Sequence, residues 1–228
     1  MIKNLLGLRK KINQNIATEN KNINHLLKFL KKNQKKLNSK SKIINLYKVR
    51  DWHQKKNGDF YHKSGQFFSI TGVRTSSKGR EVRSWDQPIL RQKHGGVLAI
   101  LVRETKKKGI EFLISARFEP GDDKVKFCPS FQATQSNINL AHGGKKTPLS
   151  DLVIKKNGTK LIAKTIHYEE GARFWKKPNA NLILYLKNPN NSATKKNNFV
   201  WANFSQIKKL NFKKGVLNPF VKTILFMI

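Results

Sequence analysis

Apolar residues recur at steps of mostly three and four through the first forty positions. Leu5, Leu6, Leu8, Ile12, Ile16, Ile23, Leu26, Leu27, Leu30 and Leu37 stand in a background of Lys and Asn. A repeat near 3.6 lines these residues along one side of a helix, so residues 1–42 read as an amphipathic helical arm. Asn38-Ser39-Lys40-Ser41 forms the joint, being rich in residues that favour caps and turns over helix interiors. From Ile43 onward the period shortens. Runs rich in branched and aromatic residues at 67–73, 81–84, 97–103, 111–118, 125–132, 161–166 and 182–186 predict strands. His94-Gly95-Gly96, Lys106-Lys107-Lys108-Gly109 and Lys156-Asn157-Gly158 are the turn signals between them. Helices are expected near 168–175 and 203–209, which makes residues 43–228 an α+β unit.

Charge adds a second reading. The 228-residue chain has 47 Lys and Arg against 13 Asp and Glu, a formal net charge of +34, and a surface of that sign attracts phosphates. A basic nucleic-acid-binding module is therefore a rival. Against it, the lysines run through the whole chain, Lys far outnumbers Arg, and no zinc-finger or RNP-type sequence gives the charge a docking element. Glu19 is the only acid in the first fifty residues. The outer face of the arm is thus positive, and a lid packed on its own domain or on a partner subunit is preferred over a membrane or acidic contact. Cys128 is the single cysteine, which excludes an intrachain disulfide and fits a reducing cytoplasm. No apolar run approaches the roughly 20 residues of a membrane helix.

The chemistry concentrates between Phe112 and Asn137, FLISARFEPGDDKVKFCPSFQATQSN. Glu119-Pro120-Gly121 breaks a strand and leaves a carboxylate beside a turn. After the second apolar run, Gln132, Thr134, Ser136 and Asn137 form a row of neutral donors and acceptors suited to hydroxyl and carbonyl groups. Upstream, His62-Lys63-Ser64-Gly65-Gln66-Phe67-Phe68 and Trp85-Asp86-Gln87-Pro88, and downstream Glu170-Gly171-Ala172-Arg173-Phe174, complete a set of blocks in chain order.

In that order the blocks resemble the NDP-hexose 2,3-dehydratase family of deoxysugar biosynthesis, over roughly residues 43–228. The chain departs from the family pattern at Glu170, where Gln is usual, and at Ile138, where an aromatic is usual. Family members are about twice as long because they carry two copies of the unit; this chain carries one, which implies a homodimer. The resemblance also implies a Nudix-like module, yet the glutamate-rich metal helix of Nudix hydrolases is missing, and Glu169-Glu170-Gly171 is no substitute for it. The implied substrate is a nucleotide-linked 4-keto-6-deoxyhexose, dTDP-linked in the first instance. Its dehydration needs a base, an acid and oxyanion donors, without cofactor or metal. Glu119, His62 and Glu170 are the catalytic candidates. His142 and the row Gln132, Thr134, Ser136 and Asn137 are candidates for the sugar, Arg117 and Arg173 for the diphosphate, and Phe68, Trp85 and Gln87 for the base. A non-catalytic relative that binds a sugar nucleotide or a partner is the alternative.

Overall fold

The structure, a computed structural model, describes residues 2–141 and 143–228. Asn4 accepts from the Gly7 N–H and so caps α1 (Leu5–Asn15). The second helix, α2 (Asn24–Leu37), stops where Asn38 adopts a left-handed φ of 41°. Leu8, Ile12, Ile23 and Leu26, all from the helical repeat, are buried.

The helices rest on a mixed seven-stranded sheet. Its spatial order is β11 (Phe199–Ala202), β6 (Gly109–Arg117), β5 (Gly96–Thr105), β10 (Pro178–Leu186) and β9 (Thr159–Tyr168), with β7 (Lys126–Pro129) on β6 and β8 (Phe131–Thr134) on β5. β10 runs parallel to β5 and the other pairs are antiparallel. Along β5, Leu98, Ile100 and Val102 enter the core under α1, α2, α5 (Phe204–Asn211) and α6 (Pro219–Leu225). Ala99 and Leu101 enter a second core closed by Leu149, Leu152 and Val153, the latter two on α4 (Ser150–Val153). Both faces of the sheet are covered, which is why its central strands read as nearly unbroken apolar runs. Among the described residues no helix is long and apolar enough to cross a membrane.

A separate four-stranded antiparallel sheet, β1 (Trp52–Gln54), β2 (Phe60–His62), β3 (Ser69–Ser76) and β4 (Ser84–Arg91), follows the arm. Most of its residues remain partly exposed.

Three expectations change. Residues 81–83 are bends, and the strand foreseen at 81–84 starts only at Ser84. The strand foreseen over 125–132 is divided at Ser130, whose hydroxyl accepts from Leu101 N–H at 2.9 Å and donates to Ala99 O at 3.1 Å. That side chain satisfies ladder groups where the chain passes from β6 to β5. The helix foreseen near 168–175 is the end of β9 followed by a strap. Glu169 N–H donates to Lys177 O at 2.9 Å, Leu90 N–H donates to Arg173 O, and Trp175 N–H donates to Leu90 O, both at 2.8 Å. These tertiary bonds take the backbone groups that a helix would have paired internally. The strap thereby joins the two sheets.

Candidate functional site

At the open end of β10, the strap and the start of α6 enclose a cavity of about 530 Å³. Asn179 and Asn181 project from one side of β10 because they are two residues apart, in the same register row system as Leu98 of β5. Asn179 is fixed from both ends: its Oδ1 accepts from Gly96 N–H at 2.8 Å, and its Nδ2 donates to Glu169 Oε1 at 2.7 Å. The other Glu169 oxygen accepts from Lys177 Nζ at 3.1 Å. Lys177 also stands over the Phe174 ring, 4.5 Å from its centroid. Charge buried this far from water persists because each group has a partner. Asn181 donates from Nδ2 to Asn179 O at 3.3 Å, while its Oδ1 has no hydrogen-bond partner among the described residues.

The neck of this site is packed to contact. A Cβ on Gly95 would sit 1.4 Å from Pro178 O, so only glycine lets β5 and β10 start side by side. Thr134 Oγ1 accepts from Asn137 N–H and bonds Ser136 Oγ at 2.9 Å, which caps the short helix α3 (Gln135–Ile138) at the same end of the sheet.

Glu119, Arg117 and Gln132 form a second polar group. Arg117 Nη1 donates to Gln132 O at 3.0 Å, and its Nε lies 3.5 Å from Glu119 Oε1. Burial pushes the Glu119 carboxyl above its ordinary value of 4.5; Arg117 opposes the shift and Asp122 adds to it. Glu119 Oε1 and Gln132 Oε1 are buried without hydrogen-bond partners among the described residues. Burial, with the Glu119 charge adding to it, also pushes the Cys128 thiol up to about 12, so Cys128 is an inert core thiol at neutral pH. Gln132 pairs with Leu98, and Leu98 with Asn181. Opposed residues share a face, which puts the Gln132 and Asn181 side chains on one surface, two strand spacings or about 10 Å apart.

The other sequence-derived candidates fall elsewhere. Glu170 and Arg173 line the cavity and pair with each other at 3.1 Å, with both side chains more than 70% exposed. Trp85 Nε1 donates to Gln87 Oε1 at 2.9 Å, and Gln87 Nε2 donates to Ala172 O at 2.7 Å. These two side chains thus tie β4 to the strap. His62 Nδ1 bonds Ser64 Oγ at 2.8 Å, and its ring meets Phe67 edge-on. Phe68 packs against Trp52, 4.8 Å between centroids. His62 and Phe68 therefore belong to the four-stranded sheet and do not line the cavity. His142 lies outside the described residues. Asn179, Asn181 and Lys177 were missed, and Glu169 was seen only as a neighbour of Glu170. The available signal was Asn179-Ala180-Asn181, two amides at strand spacing leading into the apolar run Leu182–Leu186.

The NDP-hexose 2,3-dehydratase family model matches residues 23–228. Among curated proteins, the dTDP-4-dehydro-6-deoxy-alpha-D-glucopyranose 2,3-dehydratase of Amycolatopsis orientalis is 29% identical over 180 residues, 76% of this chain and 37% of that protein. The protein of the same name from Saccharopolyspora spinosa is 29% identical over 168 residues, 73% of this chain and 34% of its own length. That from Streptomyces violaceoruber is 34% identical over 143 residues, 62% and 32% respectively. The matched stretch is thus about a third of each relative's length.

Proposed function

This chain belongs to the NDP-hexose 2,3-dehydratase family, and from that membership we propose that it removes water across C2 and C3 of an NDP-4-keto-6-deoxyhexose. The observation that carries the reading is the family match over residues 23–228, which contains every candidate site residue. The names of the curated relatives favour a dTDP-linked sugar.

In this reading Glu119 is the base. Its carboxylate is desolvated, has an oxygen free of hydrogen bonds, and binds protons more tightly than an ordinary glutamate. It removes the C3 proton, which the neighbouring C4 ketone acidifies, and the electron pair passes into the enolate. The guanidinium of Arg117, 3.5 Å from Glu119 Oε1, supplies in this reading the positive charge that favours the developing O4 anion. The C2–O bond then breaks, and the hydroxyl takes up a proton and departs as water; in this reading protonated Glu119 supplies that proton. The enol left behind tautomerises to a 3,4-diketo-2,6-dideoxy sugar. In the same reading Gln132, Thr134 and Ser136, with Asn137, hold sugar oxygens. Arg173 meets the diphosphate.

Three further parts of the reading rest on fewer observations. A Nudix-like module is supported by the mixed sheet with helices over both faces. A homodimer is part of the same proposal, supported by the two-unit plan that the family resemblance implies. A cytoplasmic setting agrees with the single cysteine.

The test is incubation of the purified chain with dTDP-4-dehydro-6-deoxyglucose, a ketoreductase and its nicotinamide cofactor, followed by mass spectrometry. The expected product is a 2-deoxy sugar nucleotide lighter by one water than the reduced substrate. Recovery of reduced but undehydrated sugar nucleotide overturns the catalytic reading.

A further inference from the structure

Asn181 is 1% exposed and lines the cavity. Because its Nδ2 donates to the Asn179 carbonyl, its Oδ1 is the atom left as an acceptor, and no group among the described residues donates to it. An unmet buried acceptor has lost its water without replacement, a cost that a bound donor removes. Neighbouring oxygens are already engaged: both of Glu169 by Lys177 and Asn179, that of Asn179 by Gly96, and that of Asn218 by Phe220 N–H at 2.9 Å. The remaining wall includes the rings of Tyr168, Phe174 and Phe220. Arg173 lies at the solvent side, with 73% of its side chain exposed.

A hexose carries hydroxyls around its whole rim and needs several polar partners. His167 and Glu170 also line the cavity but are exposed at its rim, and the Thr223 hydroxyl donates to Pro219 O. One buried unmet acceptor beside aromatic rings fits a different group, a flat heterocycle with a single ring N–H at its edge. We infer that this cavity is the nucleobase subsite of the proposed sugar-nucleotide site, in which Asn181 Oδ1 accepts the N3–H of a keto pyrimidine, thymine or uracil. Phe174, Phe220 and Tyr168 meet the faces of the base, and Arg173 meets the diphosphate beyond it. Cytosine presents a bare ring nitrogen at the same position, so two lone pairs oppose each other and the acceptor stays unmet. The inference rests on the sugar-nucleotide reading and changes one assignment within it. Trp85 and Gln87 bond each other and the strap, and neither lines this cavity.

The test is calorimetric titration of the full chain with thymidine, uridine and cytidine diphosphates, and with N3-methylthymidine diphosphate. The ligands carry equal charge, so general attraction to a basic protein cancels in the comparison. Thymidine and uridine diphosphates are expected to bind about tenfold or more tightly than the other two. Asn181→Leu is expected to remove most of that preference while leaving cytidine diphosphate affinity little changed. The N3-methyl ligand tests the contact without altering the protein, so the result stands even if the variant folds poorly. Equal binding of all four ligands overturns the subsite assignment and leaves the sugar-nucleotide reading intact. Binding of none of them overturns both.

Discussion

Glu119 is desolvated beside one guanidinium, and its consequences can be measured in two ways. Its folded-state proton affinity is raised, so the native protein binds a proton more tightly than the unfolded chain does. The resulting stabilisation is present at low pH and is lost as pH rises through the window above 4.5. Glu119→Gln should therefore flatten the pH dependence of the thermal midpoint in that window. The same change should lower dehydratase turnover by about 10²–10⁴-fold, and the acid limb of the wild-type rate profile should lie above an ordinary carboxylate pKa. Loss of turnover without the change in the stability profile would place Glu119 outside the desolvated position described here. Gly95 is constrained by shape alone. Gly95→Ala should destabilise by on the order of 3 kcal/mol, because its methyl meets Pro178 O at a distance no contact permits; denaturant unfolding checks it. At this scale the sequence was informative where a residue carries its own conspicuous chemistry. The E-P-G carboxylate and the Gln132 to Asn137 row were legible. Lys177 was not, since a lysine among so many looks like surface until Glu169 and Phe174 are seen around it.

The elements were legible in proportion to their regularity. α1 and α2 follow from a 3.6 repeat, and most of the leucines and isoleucines that mark the repeat enter or pack on the main core, while Leu6 and Leu37 stay exposed. The arm thus covers the sheet as part of its packing. Leu26→Ala should cost about 2–5 kcal/mol, read as a single unfolding transition shifted to lower denaturant; an unchanged midpoint would show that the arm packs independently of the core. The turn between α1 and α2 adds polar ties to α5: Glu19 Oε2 accepts from Ser205 N–H at 2.8 Å, and Asn203 and Gln206 donate to Asn20 O and Asn22 O. Glu19→Ala should cost about 1 kcal/mol by uncapping that helix start. The strap at 169–177 was misread for a physical reason. Two of its backbone bonds go to Leu90, about eighty residues away in sequence, and local propensity holds no record of such partners.

Across the whole molecule, 47 basic groups face 13 acidic ones, so like charges outnumber any possible pairing. Salt screens that repulsion within roughly 8 Å at physiological strength. Raising sodium chloride from low to physiological concentration should increase the thermal midpoint; a decrease would show that the ion pairs outweigh the repulsion. Composition, the helical repeat, the alternation of branched residues and the motif blocks determined by themselves that the chain has a basic helical arm, an α+β body and a place in the NDP-hexose 2,3-dehydratase family. These properties depend on short-range periodicity and residue chemistry, which a linear string retains. Only the tertiary structure decided that Asn181 faces a cavity with an unmet acceptor, that Glu169 is held by Lys177 and Asn179 while Glu170 is exposed, and that Trp85 and Gln87 clamp a strap. Each of those depends on which strands become neighbours, and pairing between distant segments is settled by burial of both sheet faces together and not by either segment alone.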